Sequence, residues 1–89
     1  MKRVALITGG SRGIGYGIAS HLASIGFDLA INGTRPYQDV EEAIEKLKEC
    51  GVDVIYCQGN VSLAADRKKI FKQAKEHFGM LHVLFLIYS

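Results

Sequence analysis

Val4-Ala5-Leu6-Ile7-Thr8-Gly9-Gly10-Ser11-Arg12-Gly13-Ile14-Gly15 is the stretch that decides how this chain folds. Val4 to Ile7 run apolar without a break, the pattern of a strand buried on both faces. A loop rich in glycine comes next, from Gly9 to Gly15. From Ile14, apolar residues recur at Ile18, Leu22 and Ile25, with Ala19 and Ala23 beside them. That is helical spacing, and Gly26 can close the helix. Glycines between a strand and a helix carry a physical meaning. They let the backbone turn tightly and approach a pyrophosphate with no Cβ in the way. The first amides of the helix are unpaired donors at the positive end of its dipole, and phosphate binds there. A turn needed only for packing is the alternative, but spacing, flanks and downstream elements all agree on a phosphate loop.

The rest of the chain continues the alternation. Leu29-Ala30-Ile31 reads as a second strand, and Asn32-Gly33-Thr34-Arg35-Pro36 as a loop. Val40, Ala43, Ile44 and Leu47 line one side of a second helix, which Gly51 ends. Its other side is charged: Glu42–Lys46 and Glu45–Lys48 are supportive pairs, while Glu41–Glu45 and Glu45–Glu49 oppose them slightly. This charge run reads as an ordinary solvated face. Val52 to Cys57 is a third strand. Ser62 is a candidate N-cap for a third helix, with Asp66 near its first turn. Ile70, Phe71, Ala74 and Phe78 form the expected buried stripe of that helix, Gly79 ends it, and Val83 to Tyr88 is a fourth, wholly apolar strand. Strands joined by helices form parallel sheets with right-handed crossovers. The expected fold is therefore α/β, a Rossmann-type parallel sheet with helices on its faces and four strands in the order 3-2-1-4. The crevice would open at the C-terminal end of strand one, where the glycine loop lies.

Composition narrows the classes. A chain of 89 residues is one small domain, which buries only roughly 60% of its unfolded surface. Hydrophobic residues at 48% and charged residues at 22% fit a globular chain. A net charge of +2 gives no argument for nucleic acid or for an anionic membrane surface. No apolar run reaches the roughly 18 residues of a membrane span. The N-terminus lacks the long apolar centre of a signal peptide, so a cytoplasmic protein is expected. Cys50 and Cys57 have no second pair to make a zinc site and not the spacing of a redox pair. They read as two buried or half-buried thiols in a reducing compartment. His21, His77 and His82 are scattered and read as surface or packing residues.

The glycine spacing, Thr8-Gly9-x-x-x-Gly13-x-Gly15, resembles the cofactor loop of the short-chain dehydrogenase/reductase family. Asn60-Val61 sits where that family usually has Asp-Val beside the adenine ring. Phe78-Gly79-Met80-Leu81-His82-Val83-Leu84 is similar to its lead into strand four. The resemblance covers about residues 2 to 85 and is nearest to the 3-oxoacyl-(acyl-carrier-protein) reductase-like members. It implies an oxidoreductase that moves a hydride between NAD(P)(H) and a carbonyl or alcohol, for instance a 3-oxoacyl thioester. It implies cofactor contacts from Gly9, Ser11, Arg12, Gly13, Ile14 and Gly15, from Gly33, Thr34 and Arg35, and from Asn60 and Val61. NAD-preferring members carry an acidic residue at the end of strand two. Gly33 falls there, and Arg12 and Arg35 resemble the basic positions of NADP-dependent members, so NADP is expected over NAD. Arg also suits phosphate through its planar fork.

The chain departs from the family at its end. Leu86-Ile87-Tyr88-Ser89 stands where Asn-Asn-Ala-Gly is usual. The family's general acid is a Tyr followed four positions later by a Lys. Here Ser20 follows Tyr16 at that distance, Glu41 follows Tyr37 and Asn60 follows Tyr56, so no catalytic residue is carried over. The expectation is a truncated fold: residues 1–89 as the dinucleotide-binding N-terminal portion, with the catalytic half absent and the fragment inactive alone. An alternative is a binding module that self-associates, or complements a partner, through the apolar edge of its fourth strand.

Overall fold

The computed structural model of the protein describes residues 3–9, 11, 13–79 and 83–85. The elements run in the order β1 (Val4–Thr8), α1 (Gly13–Ser24), β2 (Asp28–Gly33), α2 (Tyr37–Lys48), β3 (Val54–Gln58), α3 (Ala64–Phe78) and β4 (Val83–Phe85). The four strands form one parallel sheet in the order β3-β2-β1-β4, as the alternation predicts. The register pairs Thr8 with Asn32 and Gly33 with Gln58, so β1, β2 and β3 finish side by side.

The pleat sorts the core. Ala5, Ile7, Leu29, Ile31 and Val54 point to one face of the sheet, where they meet Ala19, Leu22 and Ala23 of α1 and Val40, Ile44 and Leu47 of α2. Leu6, Ala30 and Cys57 point to the other face and meet Ile70 and Ala74 of α3. Alternate residues of a strand take opposite faces, so an unbroken apolar run is what a doubly covered sheet requires. The two strand starts are tied laterally: the Asp53 amide donates to Asp28 Oδ1 at 2.9 Å.

Several local expectations need correction. The buried stripe of α1 is Gly15, Ala19, Leu22 and Ala23. Ile14 is 76% exposed and Ile25 59% exposed. Small residues face the sheet because they let the helix approach it closely. Asn32 and Gly33 belong to β2 rather than to a loop: Asn32 is buried, and its side-chain amide donates to the carbonyls of Cys57 at 2.8 Å and Gly59 at 3.0 Å. The third strand starts at Val54, with Val52 packed beside the core ahead of it.

Ser62 is not the N-cap of α3. Leu63 holds that position with no side-chain cap. Asn60 captures Ser62 instead: its Oδ1 accepts from the Ser62 amide at 2.9 Å and from the Ser62 hydroxyl at 2.7 Å. Such a local side-chain turn competes with capping. Asp66, in the first turn of α3, accepts from the Asn60 amide at 2.8 Å. Phe71 is exposed, while Ile70 and Ala74 are buried and Phe78 packs partly buried against them. Cys50 is exposed, because it follows α2 beyond its last buried residue, Leu47; only Cys57 is the expected buried thiol. Residues 86–88 of the expected fourth strand lie outside the described residues, as does His82.

Candidate nucleotide-binding site

The C-terminal ends of β1, β2 and β3 open into one cavity of about 470 Å³. Sites for small molecules span roughly 300–1,000 Å³. Three segments wall it. The loop after β1 contributes Gly9, Ser11, Gly13, Ile14 and Gly15. The end of β2 and the turn beyond it contribute Gly33, Thr34 and Arg35. The loop after β3 contributes Asn60 and Val61. Each described residue named from the sequence as a cofactor contact therefore lines this one cavity. Arg12 lies outside the described residues. Thr8, Asn32, Gly59 and Ser62 also line the cavity and went unnamed as contacts. Thr8 and Asn32 carry a signal in hindsight: each is a polar residue closing an apolar strand and buried there.

The first wall is built around the start of α1. Gly13 has φ of +60°, which a side chain adopts only with strain, and a Cβ there would meet open space. At Gly13 itself, then, the chain presents backbone without a side chain to the cavity. The first turn of α1 holds no acidic residue, so no carboxylate of its own offsets the positive end of the dipole.

The second wall is stapled to β3. Three successive carbonyls accept bonds from it or from the residue just after it: that of Gly33 from the Gly59 amide at 2.9 Å, that of Thr34 from the Gln58 side-chain amide at 3.3 Å, and that of Arg35 from the Tyr56 hydroxyl at 2.6 Å. Arg35 Nη2 donates to Ser11 Oγ at 3.4 Å, linking the second wall to the first. Burial pushes the Tyr56 phenol above its ordinary range, and the Arg35 charge partly offsets this. On the third wall, the Asn60 side-chain Oδ1 accepts from the Ser62 amide and hydroxyl, and Arg67 Nη1 donates to the Val61 carbonyl at 2.8 Å.

Other titratable groups lie elsewhere. His77 Nε2 meets Asp53 Oδ2 at 2.8 Å at the opposite end of β3, with both side chains half exposed. The Cys57 thiol is pushed up to about 11 by burial. Among the described residues, no group of three or more His, Cys, Asp or Glu could hold a metal ion, and no helix is long and apolar enough to cross a membrane.

A parallel sheet with a glycine loop at the switch between neighbouring strands defines a Rossmann-type dinucleotide fold. The short chain dehydrogenase family model matches residues 3–86, and the chain belongs to that family. It is 40% identical over 84 residues to the 3-oxoacyl-(acyl-carrier-protein) reductase FabG of Staphylococcus aureus, covering 94% of this chain and 34% of that one. An alcohol dehydrogenase from the archaeon Thermococcus sibiricus, solved with 5-hydroxy-NADP, superposes with a TM-score of 0.87 at 36% identity, covering 94% of this chain and 36% of that one. A 3-oxoacyl-(acyl-carrier protein) reductase from Brucella melitensis, solved with NAD, gives 0.86 at 34% identity, covering 94% and 32%. The chain thus spans about a third of the length of the curated relatives it matches.

Proposed function

We propose that the cavity binds a nicotinamide dinucleotide, NADP in preference to NAD, and that residues 1–89 are the cofactor-binding portion of a reductase whose substrate is a carbonyl such as a 3-oxoacyl thioester. The observation that carries this reading is convergence: three loops distant in sequence meet at one cavity around a helix N-terminus whose first turn holds no acidic residue. The family supplies the cofactor class, and the substrate class rests on the likeness to 3-oxoacyl reductases.

The residues present fit the group. The backbone around Gly13 would take the pyrophosphate, since its open approach and exposed amides suit an anion. Arg35 would take a phosphate on the adenosine ribose through its fork of donors. The end of β2 carries no carboxylate to repel that phosphate. Val61 and Asn60 would form the wall beside the adenine. When bound, the nicotinamide supplies the hydride. These residues bind and orient; Tyr16, Tyr37 and Tyr56 are followed four positions on by Ser20, Glu41 and Asn60 and not by a lysine, so the role proposed for these residues is binding rather than catalysis.

Calorimetric titration of NADPH and NADH into the chain tests the reading. Saturable binding that favours NADPH is expected. Gly13→Val should abolish it, because a branched side chain strains the +60° backbone and fills the phosphate approach. NADPH affinity unchanged in that variant would overturn the assignment.

A further inference from the structure

Gly33 is a glycine for lack of space, not for backbone freedom. Its φ lies outside the left-handed region that glycine alone adopts readily. A Cβ built on it would stand 2.7 Å from Tyr56 Oη, closer than real Cβ atoms come to a neighbour. The next contacts are Ser11 Oγ at 3.3 Å and Tyr56 Cε1 at 3.4 Å, both tolerable with small shifts. The hydroxyl that closes this space is also the one that donates to the Arg35 carbonyl at 2.6 Å. Tyr56 itself is held in place: its ring packs at 6.2 Å, centroid to centroid, on Tyr37 at the start of α2.

We infer that Tyr56 is a positioning residue that sets which ribose end the cavity accepts, by barring a side chain at position 33 and pinning the backbone that carries Arg35. The inference rests on the dinucleotide reading above. A bare ribose presents hydroxyl donors, which a carboxylate at the end of β2 would accept; a ribose phosphate presents an anion, which that carboxylate would repel and an Arg would bind. One phenol hydroxyl acts on both sides of this choice. It removes the room for a carboxylate-bearing side chain, and it fixes the base of the guanidinium that reaches toward Ser11. Without that bond the Arg35 backbone would keep its neighbours' ties, through Gly33 and Thr34, but lose the last of three successive anchors.

Two measurements on the chain test this. The first needs no ligand: thermal unfolding of Gly33→Ala, alone and in the Tyr56→Phe background. Overpacking against the hydroxyl should lower the melting temperature of Gly33→Ala by about 4–8 °C or more. In the Tyr56→Phe background most of that loss should vanish, since the 2.7 Å contact is gone. An equal loss in both backgrounds overturns the inference. The second measurement is the ratio of affinities for 2′,5′-ADP and 5′-AMP. Tyr56→Phe should cut the preference for 2′,5′-ADP by about 2- to 10-fold, the worth of one hydrogen bond, while 5′-AMP affinity holds. A merely structural role would weaken both ligands together, and an unchanged ratio likewise overturns the inference. If the unmodified chain binds neither ligand, the dinucleotide reading falls and the selectivity claim falls with it, while the unfolding pair still decides whether the hydroxyl closes position 33.

Discussion

The two faces of the sheet are built to different standards. Among the described residues, one is covered by α1 and α2 and packs twelve buried residues, including Ile7, Leu29, Ile31, Ile44 and Leu47. Among the same residues, the other is covered by α3 and packs five, of which Leu6 and Ile70 are the large ones and Ala30, Cys57 and Ala74 are small. Both faces are apolar in the strands, so the difference lies in the helices. α2 presents Val40, Ile44 and Leu47 on a clean stripe, whereas α3 fully buries only Ile70 and Ala74 of its fifteen residues and adds a partly buried Phe78. The site borrows from both sides. The well-packed side supplies the helix terminus and the Arg35 wall; the thinner side supplies the loop 59–62. Two walls of the cavity thus stand on firm packing and the third on a lighter mount.

Truncating one large residue on each face tests this most directly. Ile44→Ala should lose about 3–5 kcal/mol in urea unfolding, and Ile70→Ala about 2–3 kcal/mol, because a sparsely packed site relaxes more easily around the space left. The reverse order would mean that α3 and not α2 carries the sheet. A smaller effect separates the faces by pH. An ordinary thiol ionises near about 8.5, while burial holds Cys57 protonated to about 11. Between these values the native state binds more protons than the unfolded chain, so stability falls as pH rises through that window. The stabilisation is complete below about 8.5 and lost as pH passes about 11. Cys57→Ala should flatten this alkaline slope, and a slope identical to that of the unmodified chain would mean that the thiol is not shielded by α3. Smallest of all is the outer surface of α2. Glu42→Gln breaks the 3.7 Å pair with Lys46 and should cost only a few tenths of a kcal/mol, disappearing in 1 M salt. A larger loss would show that charge, rather than apolar packing, secures the better-covered face.

Much of the fold was legible in the sequence because local signals and long-range pairing agreed. The apolar runs at 4–7 and 29–31 mark strands buried on both faces, and every residue of both runs is buried within a β-strand. Gly26, Gly51 and Gly79 follow their helices with φ of +95°, +82° and +84°, as helix ends demand. The pairs Glu42–Lys46 and Glu45–Lys48 stand as spacing alone implies. What misled was the reading of helix faces by residue size. Ile14, Ile25 and Phe71 are apolar but exposed, because helical spacing gives a periodic set without saying which phase of it the sheet selects. Ser62 misled as a cap because Asn60, two residues earlier, competes for it. In the site, the glycine loop announced itself through spacing, whereas Thr8, Asn32 and Gly59 did not, since their part depends on which strand ends lie side by side.

The sequence by itself determined the alternation of strands and helices, the glycine-rich turn and the family, because periodicity and loop spacing are properties of short segments. Only the tertiary structure decided that β3 and the Gly59 just beyond it staple the segment 33–35 through three consecutive carbonyls, and that the Tyr56 hydroxyl closes the space over Gly33. Those contacts join residues more than twenty positions apart, and parallel pairing across the sheet, which no local segment encodes, is what brings them within bonding distance.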